Sequence, residues 1–203
     1  MRSEIFELNG KQIVVPIPER YHDCMILIKS DCYRLSGRME KSFAIIRQLL
    51  NPFATNLLKW LRLCQYKEGL LYPFFRFMYK RSCQKWLVHI PPETKIGYGF
   101  NLSHGIGIVV NAGTIIGNNV TLSQFVNIGT NNNTPAMIGD VVYIAPHASI
   151  IEDVKIGSFS TVGAGAVVTK DVPENATVVG CPAKVINCNN PGKYVVRRWP
   201  INS

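Results

Sequence analysis

An aliphatic residue returns every six positions through the second half of this chain. Ile90, Ile96, Leu102 and Ile108 lead, then after a slip of two residues Ile116, Leu122 and Ile128, then after four extra residues Ile138, Ile144, Ile150, Ile156, Val162 and Val168, thirteen hexads in all. Gly or Ala follows most of these aliphatics, and the fifth position is small or β-branched, as at Ala112, Val120, Val126, Ala148 and Ala166. A free-standing strand alternates with period two and a helix with 3.6, so a strict six fits neither. It fits a coil in which each side is one hexad, the aliphatic points to a shared axis and the glycine permits the corner. Three sides close an 18-residue coil, and coils stacked at the usual strand spacing of about 4.8 Å give roughly four layers and a prism about 20 Å tall. Such a prism needs caps, expected from the segment before Ile90 at one end and from the tail beyond Val178 at the other.

Residues 1–89 carry a different pattern. MEKSFAIIRQLL, FATNLLKWLRLCQY and LYPFFRFMYKRSCQKWL space their apolar residues at three and four, predicting three helices, with breaks at Asn51-Pro52 and Gly69. The segment before them, with its prolines, reads as irregular with one short extended piece. The expected division is therefore a helical region over 1–89, a β domain over 90–187 and a tail over 188–203. Of the net charge of +9, residues 1–89 hold +8 (15 Lys/Arg against 7 Asp/Glu) and the rest +1 (7 against 6). A basic surface confined to one part, without a recognised nucleic-acid motif, argues against nucleic acid as partner. Six cysteines without CxxC pairs or zinc-ligand spacing read as reduced thiols of a cytoplasmic protein. No signal peptide is evident, and the longest near-apolar run, GLLYPFFRFMY, is too short to span a bilayer.

IGxxxx repeats with small fifth residues, closing in VVTKDVPENATVVGCPAKVI, resemble the hexapeptide-repeat acyltransferases of left-handed parallel β-helix fold. Within that family, IGYGFNLSHGIGIVVNAGTIIGNNVTLSQFVNIG is similar to the serine acetyltransferase branch and to the related O-acetyltransferases of surface-polysaccharide biosynthesis. The resemblance covers residues 89–187. It implies a mainly β molecule preceded by a small α-helical region, a homotrimer, and acetyl-CoA bound between neighbouring prisms, with no metal.

Threading the hexads onto three sides predicts a column of His104, Gln124, Pro146 and Ala164. The two interruptions, Asn111–Ile115 and Thr130–Met137, would stack at the next corner and wall a groove with His104 at its foot. The resemblance makes His104 the catalytic base. Imidazole titrates near neutrality and can take the proton of a hydroxyl as it attacks a thioester. It also places Gly129, Ala145, Ala164 and Lys170 where the family contacts the cosubstrate through backbone groups and one cation. His147 and the asparagines 131–133 are weaker candidates for ligand contact, and His22 reads as ordinary.

The chain departs from the serine-specific pattern. His89 stands at the position of the carboxylate that the family pairs with its histidine, Ser103 and Ala112 replace acidic residues, and NNNTPAM lacks an Arg-His pair. A zwitterion left unpaired in a half-buried site is costly, so a sugar or glycan hydroxyl is the expected acceptor, with serine as the alternative. The segment LYPFFRFMYKRSCQKW suggests a weak peripheral contact with an anionic membrane surface, although an ordinary amphipathic helix is the simpler reading. A zinc enzyme on the same prism would need three converging histidines, and His89, His104 and His147 have the wrong intervals. A scaffold subunit without chemistry is the remaining alternative.

Overall fold

The computed structural model describes residues 1–49, 56–131 and 134–201. An antiparallel hairpin, β1 (Arg2–Leu8) and β2 (Lys11–Ile17), comes first. Four helices follow: α1 (Tyr21–Ser36), α2 (Ser42–Leu49), α3 (Leu57–Cys64) and α4 (Tyr72–Trp86). The solenoid strands are β3 (Lys95–Ile96), β4 (Asn101–Ser103), β5 (Val109–Val110), β6 (Ile115–Ile116), β7 (Thr121–Ser123), β8 (Asn127–Gly129) and β9 (Met137–Ile138). They continue as β10 (Tyr143–Ile144), β11 (Ser149–Ile151), β12 (Lys155–Ile156), β13 (Thr161–Val162), β14 (Val167–Val168), β15 (Thr177–Val179) and β16 (Lys184–Asn187). The expectation of three helices was one short, and the irregular start is a hairpin. The Asn51-Pro52 break lies outside the described residues, whereas Gly69 falls between α3 and α4 as expected.

The strands form a left-handed β-helix with three parallel faces. Face one holds β3, β6, β9 and β12, face two β4, β7, β10, β13 and β15, with β16 added antiparallel, and face three β5, β8, β11 and β14. The register stacks Ile96, Ile116, Ile138 and Ile156 on face one. It stacks Leu102, Leu122, Ile144, Val162 and Val178 on face two. On face three the inward column is Val110, Ile128, Ile150 and Val168. The slip of two is therefore misplaced in the sequence reading. The extra residues lie between Leu102 and Val110, not at Asn111–Ile115, because Val110 rather than Ile108 occupies the ladder position.

The corners also differ from expectation in their cause. The left-handed residue is the third after the aliphatic, at Gly99, Asn119, Val141, Phe159 and Asn175 on the first corner, and most of these are not glycine. The glycines directly after the aliphatics serve close stacking instead. A Cβ on Gly97 would lie 2.6 Å from the Gly117 carbonyl, and one on Gly117 would lie 2.8 Å from that of Gly139. Side-chain bonds rise along the same corner: the Tyr98 N–H donates to Asn118 Oδ1 (2.9 Å), the Asn118 N–H to Asp140 Oδ1 (2.6 Å) and the Asp140 N–H to Ser158 Oγ (3.0 Å). Gly117→Ala is expected to lower the melting temperature by several degrees, since overpacking costs about 1–3 kcal/mol and each kcal/mol moves a chain of this size by about 2–4 °C. An unchanged thermal melt would remove close stacking as the reason for the column.

The lowest coil exposes unpaired backbone groups that the helices satisfy. Ser30 Oγ and Asp31 Oδ1 of α1 accept the N–H groups of Gly99 (2.9 Å) and Phe100 (2.8 Å). Arg62 of α3 donates to the carbonyls of Ile96 (2.9 Å) and Gly97 (2.6 Å), and Tyr79 of α4 donates to that of Ile90. Arg62 is also paired with Asp31 by two bonds of 2.8 and 3.0 Å, with both side chains buried. Burial pushes the Asp31 carboxyl up from its ordinary value, against the pull of Arg62. All six cysteines are free thiols, and burial pushes Cys24 and Cys64 up to about 12.

Two of the three outer faces are covered by the chain itself. The hairpin lies on face one, where Leu8, Ile13 and Val15 pack with Ile115 and Met137, and where Glu4 pairs with Lys95 and Lys11 with Glu174. The tail was expected to cap the far end, and β15 and β16 do so. Beyond them the chain turns back and descends along the corner of face two. The Gly192 N–H donates to the Phe159 carbonyl (2.7 Å), Tyr194 packs on Tyr143, and Asn119 makes two bonds to the Trp199 backbone. Trp199 reaches Tyr33 of α1. Face three keeps its outer surface open, with Val109 and Phe125 each more than 40% exposed and Asn127 exposed.

Candidate active site

His104 stands at the corner between faces two and three because of the two extra residues. β4 pairs with β7 through Ser103 and Ser123, and the next inter-coil bond runs from the Phe125 N–H to the Ile106 carbonyl (2.9 Å). His104 and Gly105 are thus left over. The expected column is corrected at its foot: Ile106, not His104, lies beneath Gln124, followed by Pro146 and Ala164. His104 is displaced outward, exposed, with φ of 53°. Among the described residues its imidazole has no hydrogen-bond partner. His89 pairs its backbone with Val109 at the base of face three, and its exposed side chain makes no bond to His104.

The corner above His104 is aromatic. The Phe125 ring lies on Gly107, where a Cβ would come within 2.4 Å of it, and stacks on His147 with centroids 4.8 Å apart. This wall was not foreseen, although His147 was singled out. The other edge of face three carries the four-residue insertion, of which 132 and 133 lie outside the described residues. Pro135 of that loop leans over Gly113, and Thr130 donates to Glu152 (2.9 Å). The two interruptions therefore border opposite edges of one open face instead of stacking at one corner. Ala145, buried, and Ala164, exposed, lie toward the His104 edge in higher coils, Gly129 ends β8 on the face, and Lys170 is exposed two residues past β14.

Below His104 lies a cavity of about 420 Å³ between α1, α3, the end of α4 and the first coil, lined by Ile28, Leu35, Leu58, Trp86 and Leu102 among others. Its carboxylate, Asp31, is committed to Arg62 and the Phe100 N–H, and its cation, Lys59, is held by Asn56 (3.2 Å). No local pattern points to it, because the polar buried side of α1 hides that helix. No group of three His, Cys, Asp or Glu side chains is placed to hold a metal ion among the described residues.

The model of the bacterial transferase hexapeptide (six repeats) matches residues 135–170. The chain is similar to a serine acetyltransferase of Bacillus subtilis, 39% identical over 114 residues that make up 54% of this chain and 52% of that one. The chain spans about half the length of the curated relatives it matches. Soybean serine acetyltransferase complexed with serine is 31% identical over 79% of this chain and 70% of that one, with a TM-score of 0.62. A serine acetyltransferase of Brucella abortus covers 82% and 68%, at 26% identity and a TM-score of 0.65. Repeat register and these likenesses agree: the chain belongs to the hexapeptide-repeat acyltransferases, on their serine acetyltransferase-like branch.

Proposed function

We propose that the chain is an acetyl-CoA-dependent O-acetyltransferase with His104 as general base. The observation that carries this reading is the face of the prism that the described residues leave open, bordered on one edge by an exposed imidazole without a hydrogen-bond partner among them and on the other by the insertion loop. His104 takes the proton of the acceptor hydroxyl as its oxygen adds to the thioester carbon, and returns it to the sulfur as the C–S bond breaks. General-base assistance of this kind contributes about 10²–10⁴-fold, and holding both reactants in one cleft supplies much of the remainder. Gly129, Ala145 and Ala164 present no bulky side chain along a thin pantetheine arm, and Lys170 meets its phosphates. A second copy laid against face three would close the cleft, in keeping with a homotrimer.

For the acceptor, serine has more support than the sugar hydroxyl expected from the sequence, since the relatives above are named for serine and one was solved with it. The test is release of CoA thiol from acetyl-CoA with serine, homoserine and sugar nucleotides in parallel. Serine-dependent turnover establishes the reading. Turnover with a sugar alone transfers it to glycans, and failure of acetyl-CoA to raise the melting temperature would leave the prism as a scaffold.

A further inference from the structure

Helix α4 shows solvent a surface that water alone does not explain. Leu70, Leu71, Phe74 and Phe77 are 94, 52, 53 and 63% exposed, at the turn into the helix and on its first half. Tyr79, Phe75, Met78 and Trp86 occupy the opposite side and pack on the core. At about 100° per residue, Phe77 sits at the middle of the exposed side with Phe74 close by. Arg81 and Lys85 carry the same stripe on into the second half of the helix, and Lys80 and Arg76 lie along its other side. All four cations are exposed, and among the described residues none is ion-paired with a carboxylate. No acidic residue occurs between Glu68 and Glu93.

We infer that α4 and the turn before it dock on an anionic lipid surface. An apolar ridge bordered by cations that have no carboxylate partner among the described residues matches the boundary between acyl chains and headgroups, where the rings enter the apolar layer and the cations meet lipid phosphates. The charge complementarity is local and one-sided, since the part of the chain before Ile90 holds +8 of the +9. The contact is peripheral: no described helix is long and apolar enough to cross a membrane. The helix runs from this ridge to Trp86, whose carbonyl accepts the Gly107 N–H (3.1 Å) at the His104 corner, so docking holds the open cleft beside the headgroups.

The test is co-sedimentation of the full chain with phosphatidylglycerol and with phosphatidylcholine vesicles, at low and high salt. At least about tenfold stronger partition to the anionic vesicles is expected, weakening as salt screens the attraction. Phe74→Ser with Phe77→Ser should lower that partition about tenfold, and glutamine at Arg76, Lys80, Arg81 and Lys85 should erase the preference for anionic lipid. Both variants change exposed side chains, and unchanged thermal melts show that the fold is kept. Equal partition to both vesicles, none to either, or insensitivity to both variants would overturn the proposal. A fall in solution mass in the Phe74/Phe77 variant, without vesicle binding by the parent, would instead assign the ridge to a second copy of the chain.

Discussion

Replacing His104 by alanine is expected to slow acetyl transfer about 10²–10⁴-fold while leaving acetyl-CoA binding and the melting temperature close to those of the parent. The expectation of intact folding comes from the side chain, which is exposed and makes no hydrogen bond among the described residues. The backbone is a separate matter. His104 lies at φ of 53°, a region that asparagine tolerates better than alanine, so His104→Asn keeps the corner while removing the base. Equal loss of kcat in both variants, measured by thiol release at saturating acetyl-CoA, separates lost proton transfer from a distorted loop. Turnover retained in His104→Asn and lost in His104→Ala would assign the effect to the backbone and take His104 out of its role.

Arg62→Ala is expected to cost about 3–5 kcal/mol, because it leaves Asp31 as an uncompensated buried charge and strips donors from the Ile96 and Gly97 carbonyls. At about 2–4 °C per kcal/mol the melting temperature should fall by about 6–20 °C. Arg62→Lys keeps the charge without the two-pronged geometry and should lie between. Arg62→Met combined with Asp31→Leu should regain only the part due to the uncompensated charge, because the Ile96 and Gly97 carbonyls and the Phe100 N–H lose their partners in the double variant as well. A single variant that melted within about 1 °C of the parent would mean that the helices cap the first coil by shape alone.

Most of the prism could be read from the spacing of its aliphatics, because a ladder position has one inward neighbour and tolerates little else. The error came where two aliphatics compete: Ile108 and Val110 are both fully buried, and only the strand register says which of them joins the ladder. That slip hid the displacement of His104 from its own column and the true border of the open face. Helix α1 escaped notice for a related reason. Its buried side includes Asp23, Ser30, Asp31 and Arg34, polar groups spent on the first coil and its surroundings, so its apolar stripe is thin. The hairpin had a signal that went unused, Asn9-Gly10 with both residues at positive φ, the dipeptide that favours a two-residue turn. The cavity under His104 depends on three helices meeting one coil, a coincidence in space that no local pattern announces.

A stack of coils bonded only to its neighbours can peel from its last turn inward, one layer at a time. In this chain the segment leaving that last turn travels back and fastens to Tyr33 and Leu35 beside the first. Loosening at either extremity therefore gives up contacts at the other, which ties the first layer of the stack to the last.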